Sequence, residues 1–134
     1  MVGVDPSEVM CAVARRHNRR AIAAGQVRVA CGDSEHIPAA DASFDKVFST
    51  HTLYFWPDLS RGLAELRRVL RPGGALWLAF HSAENRALAT KLPATVYTLR
   101  SRPEVEAALG DVGFEEAGVR EDPATGVALV HARA

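Results

Sequence analysis

The chain has 134 residues, 48% of them hydrophobic and 24% charged, the proportions of a single globular domain large enough to bury a core. Its 16 basic and 16 acidic side chains cancel, which excludes the net charge that draws a protein to nucleic acid or to an anionic membrane. Two cysteines without a CxxC pairing, Cys11 and Cys31, exclude a disulfide scaffold and a structural zinc site and suit a reducing compartment. No run is apolar enough to span a bilayer, and the N-terminus lacks a signal-peptide layout, so the cytoplasm is the expected location.

In chain order, Val2-Gly3-Val4 reads as the end of a buried strand. Asp5-Pro6-Ser7-Glu8 reads as a helix start and Val9 to Val13 as an apolar helical face. Arg15, Arg16, Arg19 and Arg20 cluster on that helix as a solvated face. Residues 26–31 (QVRVAC) alternate as a strand, and 44–50 (FDKVFST) form another. Residues 74–82 (GALWLAFHS) are longer and more apolar, suited to the middle of a sheet. Before them, Leu59, Leu63, Leu66 and Leu70 recur at helical spacing, Arg61 and Glu65 can pair at i,i+4, and Pro72-Gly73-Gly74 end the helix.

The segment 83–100 is the least regular and is expected to mix a short helix with loop. Ser101 and Glu104 then spell a capping box, with Pro103 in the first turn and Gly113 as the stop. Residues 114–121 and 126–132 read as an antiparallel hairpin. No repeat or linker divides the chain, so residues 1–134 form one domain. Strands alternating with helices predict an α/β fold, a doubly wound, mostly parallel sheet closed by that hairpin.

Two acids stand out. Asp5, at the carboxyl tip of the first strand, can accept hydrogen bonds from ribose hydroxyls in the ligand crevice of such a sheet. It can equally serve as the cap of the next helix, since D-P-S-E is a good capping sequence, and separate oxygens could do both. Gly32-Asp33-Ser34 follows the next strand; the carboxylate could accept from an adenine amino group, and the same run is ordinary turn chemistry. Neighbouring parallel strands would bring both acids to one edge.

The runs "GVDPSEVMCAVARRHN" and "GDSEHIPAADASFDKVFSTHTLYFWPDLSRGLAELRRVLRPGGALWLAF" resemble class I S-adenosylmethionine-dependent methyltransferases, closest to the ubiquinone/menaquinone C-methyltransferase group. The resemblance covers about residues 2–82 and implies a Rossmann-like fold. It further implies methyl transfer from S-adenosyl-L-methionine to a small organic acceptor. Position by position it makes Asp5 the ribose-binding acid, Pro6 its neighbour near adenine, Asp33 the adenine-amino contact and Ser34 the residue beside it. Thr50 and His51 fall where the methionine part of the cofactor meets the substrate. His51 and Tyr54 would line the acceptor pocket. Methyl transfer from a sulfonium needs mainly proximity and alignment, so a dedicated base is optional and the catalytic residue is left open; imidazole chemistry makes His51 a candidate. Asp45, regular in the pattern, orders the strand start.

One departure is large. The family's first strand, its acid-x-Gly-x-Gly loop and its first helix are absent from this sequence, so the chain is expected to be truncated at its N-terminus. The missing strand would lie centrally, between the strands at 2–5 and 44–50. A partner chain or a second copy could fill that place. His51 and His81 sit at neighbouring strand tips, but no H-x-x-x-H or nearby acid cluster completes a metal site. Two other readings stand: a nicotinamide-dependent oxidoreductase, disfavoured by the hairpin and by G-D-S-E-H-I-P, and a non-catalytic fragment or partner-binding subunit.

Overall fold

The computed structural model describes residues 1–85, 88 and 90–134. Val2–Asp5 forms β1, followed by α1 (Glu8–His17), α2 (Arg19–Ala23) and the short β2 (Arg28–Cys31). Phe44–Thr50 is β3, and a 3-10 turn at Leu53–Phe55 leads into α3 (Leu59–Val69) and β4 (Leu70–His81). After α4 (Arg102–Asp111), β5 (Glu115–Asp122) and β6 (Val127–Arg133) close the chain. The short helix expected within 83–100 falls partly on residues outside the described set.

The strands form two sheets, which corrects the expectation of one mostly parallel sheet. β1 and β2 pair in parallel, with Asp5 opposite Cys31. The second sheet is mixed and runs β3-β4-β6-β5; β3 and β4 are parallel, and β6 is antiparallel to both neighbours. The physical reason is a missing ladder. Among the described residues no strand pairs with the second edge of β1 or of β3, so their backbone donors and acceptors have no strand partner there.

Local chemistry accounts for the elements. Ser7, not Asp5, caps α1: its hydroxyl accepts from Met10 N–H, and Glu8 favours the positive helix start. Asn18 breaks the helix, so the four arginines divide between α1 and α2, and Arg15 turns back to donate to Val29 O at 3.1 Å. The fold also brings the two cysteines together. Cys11 is fully buried, and its neighbour Cys31, then burial, push its thiol up; both thiols are free.

Asp58 caps α3 by accepting from Arg61 N–H at 2.9 Å, and Leu59, Leu63 and Leu66 bury its apolar stripe. The helix ends at Val69 and β4 begins at once, earlier than the glycines suggest. The end of the chain recruits that segment: Gly73 N–H donates to Ala134 O, and Ala134 N–H to Gly74 O. The Arg61–Glu65 pair does not form. Glu65 is taken by Arg68 at 2.7 Å, and Arg61 lies 3.6 Å from Glu35 instead. The α4 capping box is present as expected, and Gly113 stops the helix at φ 86.

The core lies on one face of the larger sheet. Leu76, Leu78, Phe80, Ala128, Val130 and Ala132 pack with Leu63 and Leu66 of α3 and with Val105 and Leu109 of α4. The other face carries Phe48, Trp77 and His131 in one cross-strand row, with Phe48 66% exposed.

Candidate functional site

Asp5 and Asp33 stand at the ends of paired strands. Gly32 N–H donates to Asp5 O at 3.2 Å, so the loop after β2 leaves from beside Asp5. Asp5 Oδ1 accepts from Ser7 N–H at 2.8 Å, a turn that orders the approach to α1 without capping it. Asp33 Oδ1 accepts from the backbone of Glu35 at 2.9 Å and of His36 at 2.8 Å. Those bonds, the one from Glu35 foremost, hold the Asp33 carboxyl below its ordinary value, so it is ionised at neutral pH. Each acid thus commits one oxygen to a turn and leaves the other without a protein partner among the described residues. Pro6 is exposed beside Asp5, and Ser34 is half-buried beside Asp33.

The loop bearing Asp33 is braced from α3. Glu65 accepts from Ile37 N–H at 2.8 Å, while Arg68 donates to Ile37 O at 3.1 Å and Ala39 O at 2.9 Å. Arg68 holds the Glu65 carboxyl below its usual range despite partial burial.

A second cluster forms at the ends of β3 and β4. Thr50 is exposed and pairs with Ala79. His51 follows in the left-handed region at φ 55, held there as its N–H donates to Ala79 O at 2.8 Å. This conformation brings its Nδ1 to 3.1 Å from Tyr54 Oη, and its ring stacks on His81 with centroids 5.1 Å apart. Tyr54 Oη also accepts from His81 N–H at 2.6 Å. Tyr54 is 6% exposed, and burial pushes its phenol up, so it stays protonated. It therefore stands behind His51 as a support, while Phe55 is exposed and Trp56 packs on α3.

No local pattern signals Tyr97, which lies in the irregular segment. Its ring is 5.2 Å from Phe55 and 6.1 Å from Tyr54, and the adjacent Thr98 N–H donates to Tyr54 O. His81 was discernible as a strand-tip histidine; its bond to Tyr54 was not. Asp45 pairs with Arg71 at the strand start, at 2.5 Å. Two open hollows, of about 310 and 460 Å³, flank α3, and neither is lined by Asp5, Asp33 or His51.

The residues fit the nucleoside half of an adenosyl cofactor: two carboxylates, each with an oxygen uncommitted to its turn, one at the end of β1 and one in the loop after β2. No acid-x-Gly-x-Gly run occurs in the sequence to cradle an amino-acid half.

A parallel strand pair beside a mixed sheet closed by one reversed strand is an α/β arrangement that matches the Rossmann-like fold of solved methyltransferases. Residues 1–78 match the family model described as a methyltransferase domain. The chain belongs to that family, the class I S-adenosylmethionine-dependent methyltransferases, as a distant relative of the ubiquinone/menaquinone C-methyltransferases. It is 31% identical over 156 residues to the ubiquinone/menaquinone biosynthesis C-methyltransferase UbiE of Geobacter sulfurreducens, covering 98% of this chain and 60% of that one. Among solved structures it is similar to an S-adenosylmethionine-dependent methyltransferase from Aquifex aeolicus, with TM-score 0.77, 26% identity, and 98% and 67% of the two chains covered. It also matches the Haloferax volcanii complex between the Trm112 methyltransferase activator and a methyltransferase, with TM-score 0.82, 22% identity and 99% and 71% coverage. The chain spans 35% to 60% of the length of the first curated relatives it matches.

Proposed function

We propose that this chain is one methyltransferase-like domain that transfers a methyl group from S-adenosyl-L-methionine to a small organic acceptor in the cytoplasm. Asp5 and Asp33 hold the ribose and adenine, with Pro6 and Ser34 beside them and Thr50 near the methionine part. His51 lines the acceptor side, supported by Tyr54. The observation that carries this reading is the pair of carboxylates on β1 and the β2 loop, each with one oxygen fixed by backbone N–H groups. Bound there, the cofactor supplies an electrophilic methyl group; the protein's part is alignment of the acceptor and exclusion of water. No helix among the described residues is long and apolar enough to cross a membrane.

The reading includes a missing piece. A strand–loop–helix, on preceding polypeptide or on a partner chain, would join β1 to β3 and bring the glycine-rich cradle. The experiment is calorimetric titration with S-adenosylhomocysteine of this chain and of a version extended by such a unit. Tight binding by the extended form and weak binding by the 134 residues alone is the expected result. No binding by either overturns the methyltransferase reading, and micromolar binding by the short chain overturns the need for the unit. The unpaired edges of β1 and β3 favour one second reading, a partner-binding subunit without turnover. It predicts a stable complex with a partner chain and no adenosyl binding in that complex.

A further inference from the structure

We infer that Cys11 and Cys31 form a redox-active pair: a hydroperoxide oxidises Cys31, and Cys11 then closes a reversible disulfide that fastens α1 to β2 beside Asp5. Three separate contacts place the two sulfurs. Cys11 Sγ lies 3.5 Å from Ala30 O, the carbonyl just before Cys31 in the chain. It also lies 3.3 Å from Asp5 O, which accepts from Gly32 N–H, the amide just after Cys31. The Cys11 sulfur therefore reaches backbone contacts on both sides of Cys31. Arg15 fixes the direction of the Cys31 side chain. It follows Cys11 by one turn on the same face of α1, and its Nη2 is 3.8 Å from Cys31 Sγ. Cys31 thus turns its sulfur to the helix face that carries Cys11, and a hydrogen bond joins the two thiols.

The thiols have the unequal access that a sensing pair needs, one open to solvent and one poised beside it to resolve. Cys31 is exposed, whereas Cys11 is fully buried. Cys31 and burial push the Cys11 thiol up, so Cys11 is not the first of the two to react. Metal binding is the other use of paired thiols, but among the described residues no group of three or more His, Cys, Asp or Glu side chains could hold an ion. The helix-to-strand crossover makes the contact, which is why no CxxC spacing marks it.

The chemistry balances with hydrogen peroxide as the oxidant. Cys31 gives up its thiol proton, and its sulfur attacks one peroxide oxygen. The S–O bond forms as the O–O bond breaks, and the hydroxide that leaves takes a proton and departs as water. The Arg15 guanidinium beside that sulfur is a cation for the leaving oxygen. Cys31 is now a sulfenic acid. The Cys11 sulfur attacks it, the S–S bond forms as the S–O bond breaks, and the hydroxide carries off the Cys11 proton as a second water. Two thiols are oxidised and one peroxide is reduced. The Cys11 hydrogen bonds to Asp5 O and Ala30 O are lost, while Gly32 N–H still holds Asp5 O.

The test treats the full 134-residue chain, dilute and at neutral pH, with hydrogen peroxide, then alkylates free thiols and maps peptides by mass without reduction. The expected product is a monomer whose Cys11 peptide is joined to its Cys31 peptide, and dithiothreitol restores both thiols. Dimers linked through Cys31, or Cys31 carried on to sulfinic acid, each with Cys11 free, overturn the pairing. Cys11→Ala should stop at a Cys31 sulfenic acid that dimedone captures, and Cys31→Ser should leave Cys11 reduced at the same exposure. A reduced Cys31 in the first variant, or an oxidised Cys11 in the second, overturns the order of events; melting curves confirm that both are folded. In the oxidised native chain, amide protons of β1 and β2 should exchange more slowly than in the reduced chain, and unchanged exchange there overturns the fastening of α1 to β2. Peptide mapping of the native chain needs neither variant nor cofactor, so failure to bind S-adenosylhomocysteine is a separate result.

Discussion

Gly62 lies directly under the Trp56 indole: a Cβ on the glycine would stand 2.6 Å from Trp56 Cε3. The turn before α3 thus packs its largest ring onto the helix backbone. Gly62→Ala gains roughly 1 kcal/mol in helix propensity but must displace a buried indole, an overpacking cost of about 1–3 kcal/mol. A lower Tm is expected. Gly110→Ala in α4, where nothing lies within 4 Å of the added methyl, should raise Tm instead. Thermal melts of both variants check the pair.

Arg68 clamps Glu65 and the loop carbonyls together, and its acid dependence has a definite sign. The Glu65 carboxyl is held below its ordinary value near 4.5, chiefly by the Arg68 hydrogen bond. The folded state therefore resists protonation more than the unfolded one. The stabilisation is fully present above that ordinary value and is lost as pH falls through the lowered one. Acid titration of Tm should show a steeper fall below about pH 4.5 in the native chain than in Arg68→Met. Equal slopes would remove the clamp from the acid response.

Asp5 separates binding from folding through its two oxygens. Asp5→Asn keeps an acceptor for Ser7 N–H and loses the charge. In the form extended by the strand–loop–helix, loss of a charge-assisted ribose contact of about 1.5–3 kcal/mol should weaken adenosyl binding roughly 10- to 150-fold. The melting curve should change little. Calorimetry showing unchanged affinity would take Asp5 out of the site.

Asp33→Asn tests the second acid. The turn needs only an acceptor for Glu35 and His36 N–H, which the amide oxygen supplies, but the amide also presents donors toward an adenine amine. Weaker adenosyl binding at unchanged Tm is the expected result in the same titration. Equal affinity would leave Asp33 as turn chemistry alone.

The paired cysteines predict unequal thiols. Cys31 is exposed, while Cys11 is buried with its thiol pushed up by Cys31 and by burial, so little of it is thiolate. A disulfide reagent followed by mass spectrometry should label Cys31 first and Cys11 only on unfolding. Equal labelling rates would contradict the burial of α1 against β2.

What could be read from the sequence was what short-range chemistry decides. The strand at 44–50, the Ser101–Glu104 capping box and the stop at Gly113 each rest on neighbouring residues, and each is present. Asp5 and Asp33 are at the paired tips that strand order implies. What could not be read depends on partners distant in the chain. Leu70 begins a strand because Phe44 pairs with it, and Ala134 holds Gly73 and Gly74 beyond it; Glu65 chooses Arg68 where Ile37 arrives beside both. The support of His51 by Tyr54 required a left-handed histidine, which no local pattern announced.

The division of the sheet has a consequence for motion. Since β1 and β3 share no ladder, the β1–β2 half can open while the four-stranded sheet stays closed. It is fastened through the loop after β2, by Arg28 on Pro38 O and by Glu65 and Arg68 on Ile37 and Ala39. Amide protons of β1 and β2 would then exchange through local opening, and those of β4 and β6 only through global unfolding. A ligand that reaches from Asp5 to His51 straddles both halves. Part of its binding free energy goes into holding them together, and its apparent affinity falls with the fraction of molecules already closed.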